Sequence, residues 1–233
     1  MQKKIRISGE LAYVLAILLM SFSVAMITAT DFGVSMIVAP AYIISLKIPG
    51  LSFGQSEYLV QGLLFVVFCI LMKKVKPIYF VSFITCLIYG AVLDLWRYVI
   101  PIFNPAVTPP GSLSLFQRIL LYILGTPITA LSVALFFKAY LYPQVYDFFV
   151  KGIADRFHLP RTKFKITFDI LCLMTAVALS LLLFGGFRGI GAGTLVTTLV
   201  NGALIGASEK LLDRFFDFQP AYPKLARHFE LNR

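Results

Sequence analysis

Apolar residues gather in six long runs, at about 10–30, 56–72, 78–96, 117–137, 166–184 and 189–208. A helix crossing a bilayer needs about 20 such residues, and none of the runs shows the strict alternation of a half-buried strand. Two shorter apolar segments, about 33–47 and 141–158, are interrupted by Pro40 and Pro143. Proline removes a backbone donor and breaks helices, so these two read as re-entrant or interfacial pieces. Counting them as crossings would raise the total from six to eight.

Charge decides between the two totals. With Lys3, Lys4 and Arg6 placed in the cytoplasm and six crossings, 17 of the 21 Lys and Arg residues fall on the cytoplasmic side. Only Lys47, Arg97, Arg118 and Arg188 fall outside. Eight crossings would carry Lys73, Lys74 and Lys76 outside and weaken a bias that membrane proteins use to set orientation. Six spans with both termini cytoplasmic is therefore the expected topology.

Composition agrees. The 233 residues are 59% hydrophobic and 14% charged, with a mean hydropathy of +0.85. Soluble domains carry about 45–50% apolar and about 25% charged residues. Disordered, collagen-like and disulfide-rich classes are excluded on the same grounds. A net charge of +10 could point to nucleic acid, but the topological reading accounts for it and no nucleic-acid partner is expected. Cys69, Cys86 and Cys172 sit inside apolar runs and read as packing residues. The first run lacks a small-residue cleavage site, so it is expected to stay as a span.

The two halves resemble each other. Ser23-Val24-Ala25 matches Ser132-Val133-Ala134, Pro49 and Phe53 match Pro160 and Phe164, and Gly90-Ala91-Val92-Leu93 matches Gly202-Ala203-Leu204-Ile205. The offsets of 109, 111 and 112 keep one order. The expected fold is all-α: a single membrane domain over 1–233, with repeat 1 at about 10–97, repeat 2 at about 117–208 and a cytoplasmic tail at 209–233. Each repeat has three spans and a short broken segment. Three is odd, so the second repeat is inverted, an arrangement that places ligand sites near the midplane in many transporters.

No nucleophile–base pair, nucleotide loop or metal-spaced His/Cys cluster is visible, so neither enzymatic activity nor a cofactor or metal is expected. Both histidines, His158 and His228, fall in cytoplasmic segments. Ionisable and polar groups inside spans are the leads, because each costs about 2.5–3.5 kcal/mol at a helix centre on an insertion scale. Glu57 and Gln61 share a helical face, with Gln55 just before them. Glu57 either caps the helix or coordinates a ligand or cation. Asp94 and Arg97, three apart, form a local ion pair or a gate. Asp169 beside Lys165 has the same two readings. Asn201 lies deep in the last span, and Thr194 follows a Gly-rich stretch. Gly185, Gly189 and Gly193 recur every four residues, as do Gly202 and Gly206. This reads either as close helix packing or as an unwinding of Gly191 to Thr194 toward a ligand. Asp31, Gly33 and Ser35 open the first broken segment and make a possible anion site. Segment 144–158 reads as an amphipathic helix on the inner leaflet, and the basic tail as resting on anionic lipid.

Asp31-Phe32-Gly33-Val34-Ser35 with Pro40, Ser52-Phe53-Gly54-Gln55, and Gly189-Ile190-Gly191-Ala192-Gly193-Thr194-Leu195 with Gly202 resemble the YczE/YyaS/YitT-like group of bacterial integral membrane proteins. The resemblance implies a multi-pass protein of the bacterial plasma membrane and says little about substrate. The expected function is that of a small secondary-transporter-like protein. Its site would join Gln55, Glu57 and Gln61 to Thr194 and Asn201, with Asp31 and Ser35 nearby. The alternatives are a substrate-binding subunit of an energy-coupling-factor-type transporter, docking to partner subunits through Ala12 and Ala16, or a lipid-handling or scaffolding protein using its basic loop at 151–165. Expected partners are membrane lipids and an unknown small-molecule or lipid ligand, with a second copy of the chain also possible.

Overall fold

The structure is a computed structural model that describes residues 4–73, 75–224 and 226–227. Lys3, Lys74, His228 and Arg233 lie outside the described residues. Eight α-helices are present among them: α1 (Gly9–Ala29), α2 (Ala39–Lys47), α3 (Phe53–Met72), α4 (Phe80–Val99), α5 (Leu115–Lys138), α6 (Val145–Arg156), α7 (Arg161–Phe184) and α8 (Ala192–Phe215). Six are long and apolar enough to cross a membrane: α1, α3, α4 with its preceding 3-10 turn, α5, α7 and α8. The chain is a multi-pass membrane protein.

Local chemistry sets the helix starts. Ser52 and Gln55 form a capping box on α3, and Ser114 and Gln117 form another on α5, each satisfying two otherwise free backbone donors. Pro40, expected to break a helix, instead lies in the first turn of α2, where its missing N–H costs nothing.

The centre of the bundle is α1, which packs along α5 and α4. Small residues permit the approach: Ala12, Ala16, Ala25 and Ala134 are fully buried. Ala12 and Ala16 are thus spent inside the chain and present no docking surface. The short helices α2 and α6 both pack against α3 and α7. In the first half α3 and α4 pack along each other, whereas α7 and α8, among the described residues, do not. That leaves a gap.

Three sequence expectations need correction. First, α6 is no surface helix: Val145, Tyr146, Phe148, Phe149, Val150, Ile153 and Ala154 are buried, and the Phe148 ring packs on Phe68, Tyr79 and Tyr142. Second, the glycines spaced every four residues do not line one helix. Gly185 and Gly189 sit in the α7–α8 connection at φ +67° and +71°, and Gly202 and Gly206 face open space. Gly193 makes a close contact with Tyr122 and Phe32, and Gly189 makes one with Tyr42 and Ile43, but from the connection and not from a helix face.

Third, the tail does not simply rest on lipid. Helix α8 runs on to Phe215, and β2 (Phe216–Gln219) pairs in parallel with β1 (Ile5–Ser8). The Glu10 carboxylate accepts from the Ala221 and Tyr222 amides at 3.0 Å each and from the Tyr140 hydroxyl at 2.5 Å. Both ends of the described chain meet at one end of the bundle, as an even number of crossings requires. Charge-assisted bonds of this kind are the stronger class. Glu10→Ala is expected to raise hydrogen exchange across 216–222 about tenfold, the equivalent of ~1.4 kcal/mol; an unchanged rate would show that the strand pairing holds the tail alone.

Candidate functional site

Two polar regions share the first turn of α6. The first is enclosed. Glu57, Gln61 and Ser56 on α3 are wholly buried, on the face turned toward α4 and α6. Gln61 Nε2 donates to Glu57 Oε2 at 2.9 Å and to Gln144 Oε1 at 3.0 Å. Gln61 Oε1 accepts from the Val145 backbone N–H at 3.1 Å. The Tyr146 hydroxyl donates to Glu57 Oε2 at 3.0 Å. The α6 N-terminus, with its free amides and positive dipole end, is thereby held at the Glu57–Gln61 pair. Glu57 Oε1 and the Tyr89 hydroxyl have no hydrogen-bond partner among the described residues. A buried carboxylate oxygen left unpaired is costly, which marks this point as chemically unsatisfied.

The second region is a cavity of about 640 Å³ between the end of α5, segment 141–143, α6, α7 and α8. Ser35, Met36 and Ile37 of the first broken segment also line it. Lys165 on α7 lies 3.6 Å from Asp147 on α6 and 3.5 Å from Asp169 one turn along. Arg161, at the rim, pairs with Asp155 at 2.7 Å. The Thr197 and Thr198 hydroxyls bond back to their own helix. Asn201 Oδ1 is buried in the wall without a partner among the described residues. Tyr146 faces Glu57 while its neighbour Asp147 lines the cavity, so any shift of α6 moves both regions together.

The other expected residues are placed elsewhere. Gln55 is exposed and serves the α3 capping box. Thr194 is buried, but its hydroxyl donates to Val34 O at 2.7 Å and pins the first broken segment to α8. Asp94 accepts from the Gly54 amide at 2.9 Å and from the Ser52 hydroxyl, capping α3. It makes no ion pair with Arg97 among the described residues. The Arg97 guanidinium instead sits over the Phe53 ring, 5.6 Å from its centroid, with its Nε unpartnered. Asp94 and Arg97 line a smaller cavity of about 460 Å³ at the opposite end of the bundle. Asp31 lies at the surface beside Arg118, 3.8 Å away. The site thus keeps Glu57 and Gln61 together, sets Asn201, Asp169 and Ser35 on the larger cavity, and leaves Gln55, Asp31 and Thr194 apart.

Tyr146 and Tyr89 escaped the sequence reading. Tyrosines in an apolar run look like interface or core residues, and nothing in their spacing points at Glu57. Among the described residues no group of three or more His, Cys, Asp or Glu side chains is placed to hold a metal ion.

The model of one protein family, DUF6198, matches residues 7–210, nearly all of the bundle. The chain belongs to the DUF6198 family. That family is described as one of unknown function. No curated protein matches the chain, and neither does any solved structure. The DUF6198 match ends within α8 and so spans both polar regions, while β2 and the Glu10-bound segment lie mostly or wholly past it.

Proposed function

We propose that this DUF6198 protein binds and moves a small solute across a bacterial plasma membrane, with both termini cytoplasmic and two inverted repeats meeting at the site. Kinship with the YczE/YyaS/YitT-like group is part of the same reading. The observation that carries it is the Glu57 carboxylate, fully buried in one half and bound by Tyr146 of the other, with one oxygen unsatisfied. Ionisable groups in such positions mark ion and substrate pathways. Glu57 is the coupling group, and the larger cavity is the solute site.

The packing supports inversion. Helix α1 packs along α4 and α5, and α5 along α1 and α8; α2 and α6 each bridge α3 and α7. The two cavities use corresponding parts of the two halves. One is lined by α6, the start of α7 and α8, the other by α2, the start of α3 and α4. They lie toward opposite ends of the bundle, as corresponding parts of two inverted halves would.

Ser35, on the wall of the larger cavity, tests the reading. In a background free of Cys69, Cys86 and Cys172, a Ser35→Cys variant is expected to react with a membrane-impermeant thiol reagent in both right-side-out and inside-out vesicles. Reaction from one side alone would leave a binding protein and remove transport.

A further inference from the structure

The larger cavity shows what kind of solute it suits. Its volume of about 640 Å³ falls within the roughly 300–1,000 Å³ of small-molecule sites. Most of its wall is apolar, including Phe136, Leu141, Tyr142, Phe148 and Ile166. Its unmet polar atoms are acceptors. Among the described residues, Asn201 Oδ1 has no donor, and Asp169 Oδ1 has only the Lys165 ammonium at 3.5 Å. Lys165 itself is flanked by two carboxylates, so the Asp147–Lys165–Asp169 cluster carries one net negative charge. An anion would have to compete with both aspartates for Lys165, Arg161 at the rim is already paired with Asp155, and Lys151, the third cation of the lining, is itself engaged.

The way in is lateral. Helices α7 and α8 do not pack along each other, and Phe137 and Ile166 on the cavity wall are 57% and 54% exposed. An apolar body can enter between them from the hydrocarbon side.

The geometry points to an apolar organic cation with N–H donors, a primary or secondary ammonium on a hydrophobic body, as the occupant of this cavity. It rests on the reading of the cavity as the solute site. The ammonium donates to Asp169 Oδ1 and Asn201 Oδ1, the net negative cluster holds the charge, and the aromatic wall covers the body.

The test is calorimetric titration of the purified protein in dodecyl maltoside, with empty micelles as blank. The probes are 3-phenylpropylamine, its trimethylammonium counterpart and 3-phenylpropionate. The amine is expected to bind, and the carboxylate and the quaternary ion about tenfold or more weaker, because a hydrogen bond to a charged group is lost or its sign reversed. Asp169→Asn should weaken amine binding about tenfold, and the near-isosteric Asn201→Leu several-fold, both with unchanged melting. Equal binding of the carboxylate, no amine binding to the wild type, or binding indifferent to both variants would overturn the assignment. Two-sided labelling of Ser35→Cys without amine binding would sink this inference alone. Amine binding with one-sided labelling would sink transport and leave it standing.

Discussion

Glu57→Ala is expected to destabilise the protein by about 2 kcal/mol, while Glu57→Gln stays within about 1 kcal/mol of the wild type. Alanine removes the acceptor of the Tyr146 hydroxyl and strands that buried donor. A buried orphan costs about 1–3 kcal/mol, and the void left by the side chain adds to it. Relief of the buried carboxylate offsets part of the sum. Gln61 keeps its bond to Gln144, so the docking of α6 is loosened rather than lost. In a thermal melt in detergent, with roughly 2–4 °C per kcal/mol for a chain of this size, the alanine variant should fall by about 4–8 °C. Glutamine keeps an acceptor for Tyr146 and the shape of the site, and loses only the charge. It should therefore separate folding from coupling: near-wild-type melting with solute movement abolished. Identical melting of the alanine variant and the wild type would show that the network does not hold α6 in place.

Gly33→Ala carries the second large effect. Gly33 has φ +94°, a left-handed conformation that side chains avoid, and an added Cβ would meet the backbone N of Gly191, the Thr194 hydroxyl at 2.5 Å and the Ile190 carbonyl carbon at 2.9 Å. Three bonds around it seat the first broken segment: Val34 N–H to Gly189 O at 3.1 Å, Gly193 N–H to Phe32 O at 2.8 Å and the Thr194 hydroxyl to Val34 O at 2.7 Å. Relieving the contact breaks some of them. Strain of about 1–3 kcal/mol plus at least one lost buried bond of about 1 kcal/mol gives an expected loss of about 3 kcal/mol. Gly111→Ala is the matched control, because φ is +83° there and nothing lies within 4 Å. The control isolates backbone strain and should cost about 1 kcal/mol. Equal losses at both positions would mean that the close approach of segment 31–34 to α8 contributes nothing.

The bundle was legible because lipid imposes length and apolarity on each crossing, and both can be read without tertiary knowledge. All six spans lie close to their apolar runs, and α8 overruns its run only because a charged extension can remain helical outside the bilayer. The burial of α6 is hidden in the sequence for an opposite reason. Asp147, Lys151, Asp155 and Arg156 give it the charge pattern of a surface helix, yet its apolar residues pack on α3, α4 and α7. Its charges meet partners such as Lys165 and Arg161 across the cavity rim, which no local pattern shows. Glu57 and Gln61 stood out because polar groups in an apolar helix need a reason. Their partners Gln144 and Tyr146 lie more than eighty residues away, joined by a turn whose path depends on tertiary packing. Thr194 reads as a ligand residue because an unwound Gly-rich stretch frees backbone groups; in the fold those groups are taken up by segment 31–34 itself.

The most direct test of the account is native mass spectrometry of the protein extracted in mild detergent, beside Asp169→Asn, which alters the cavity wall itself. A solute site shared by the two halves predicts a discrete small molecule of defined mass on the wild type, absent from the variant. The same set of bound lipids on both forms, and nothing else, would contradict it.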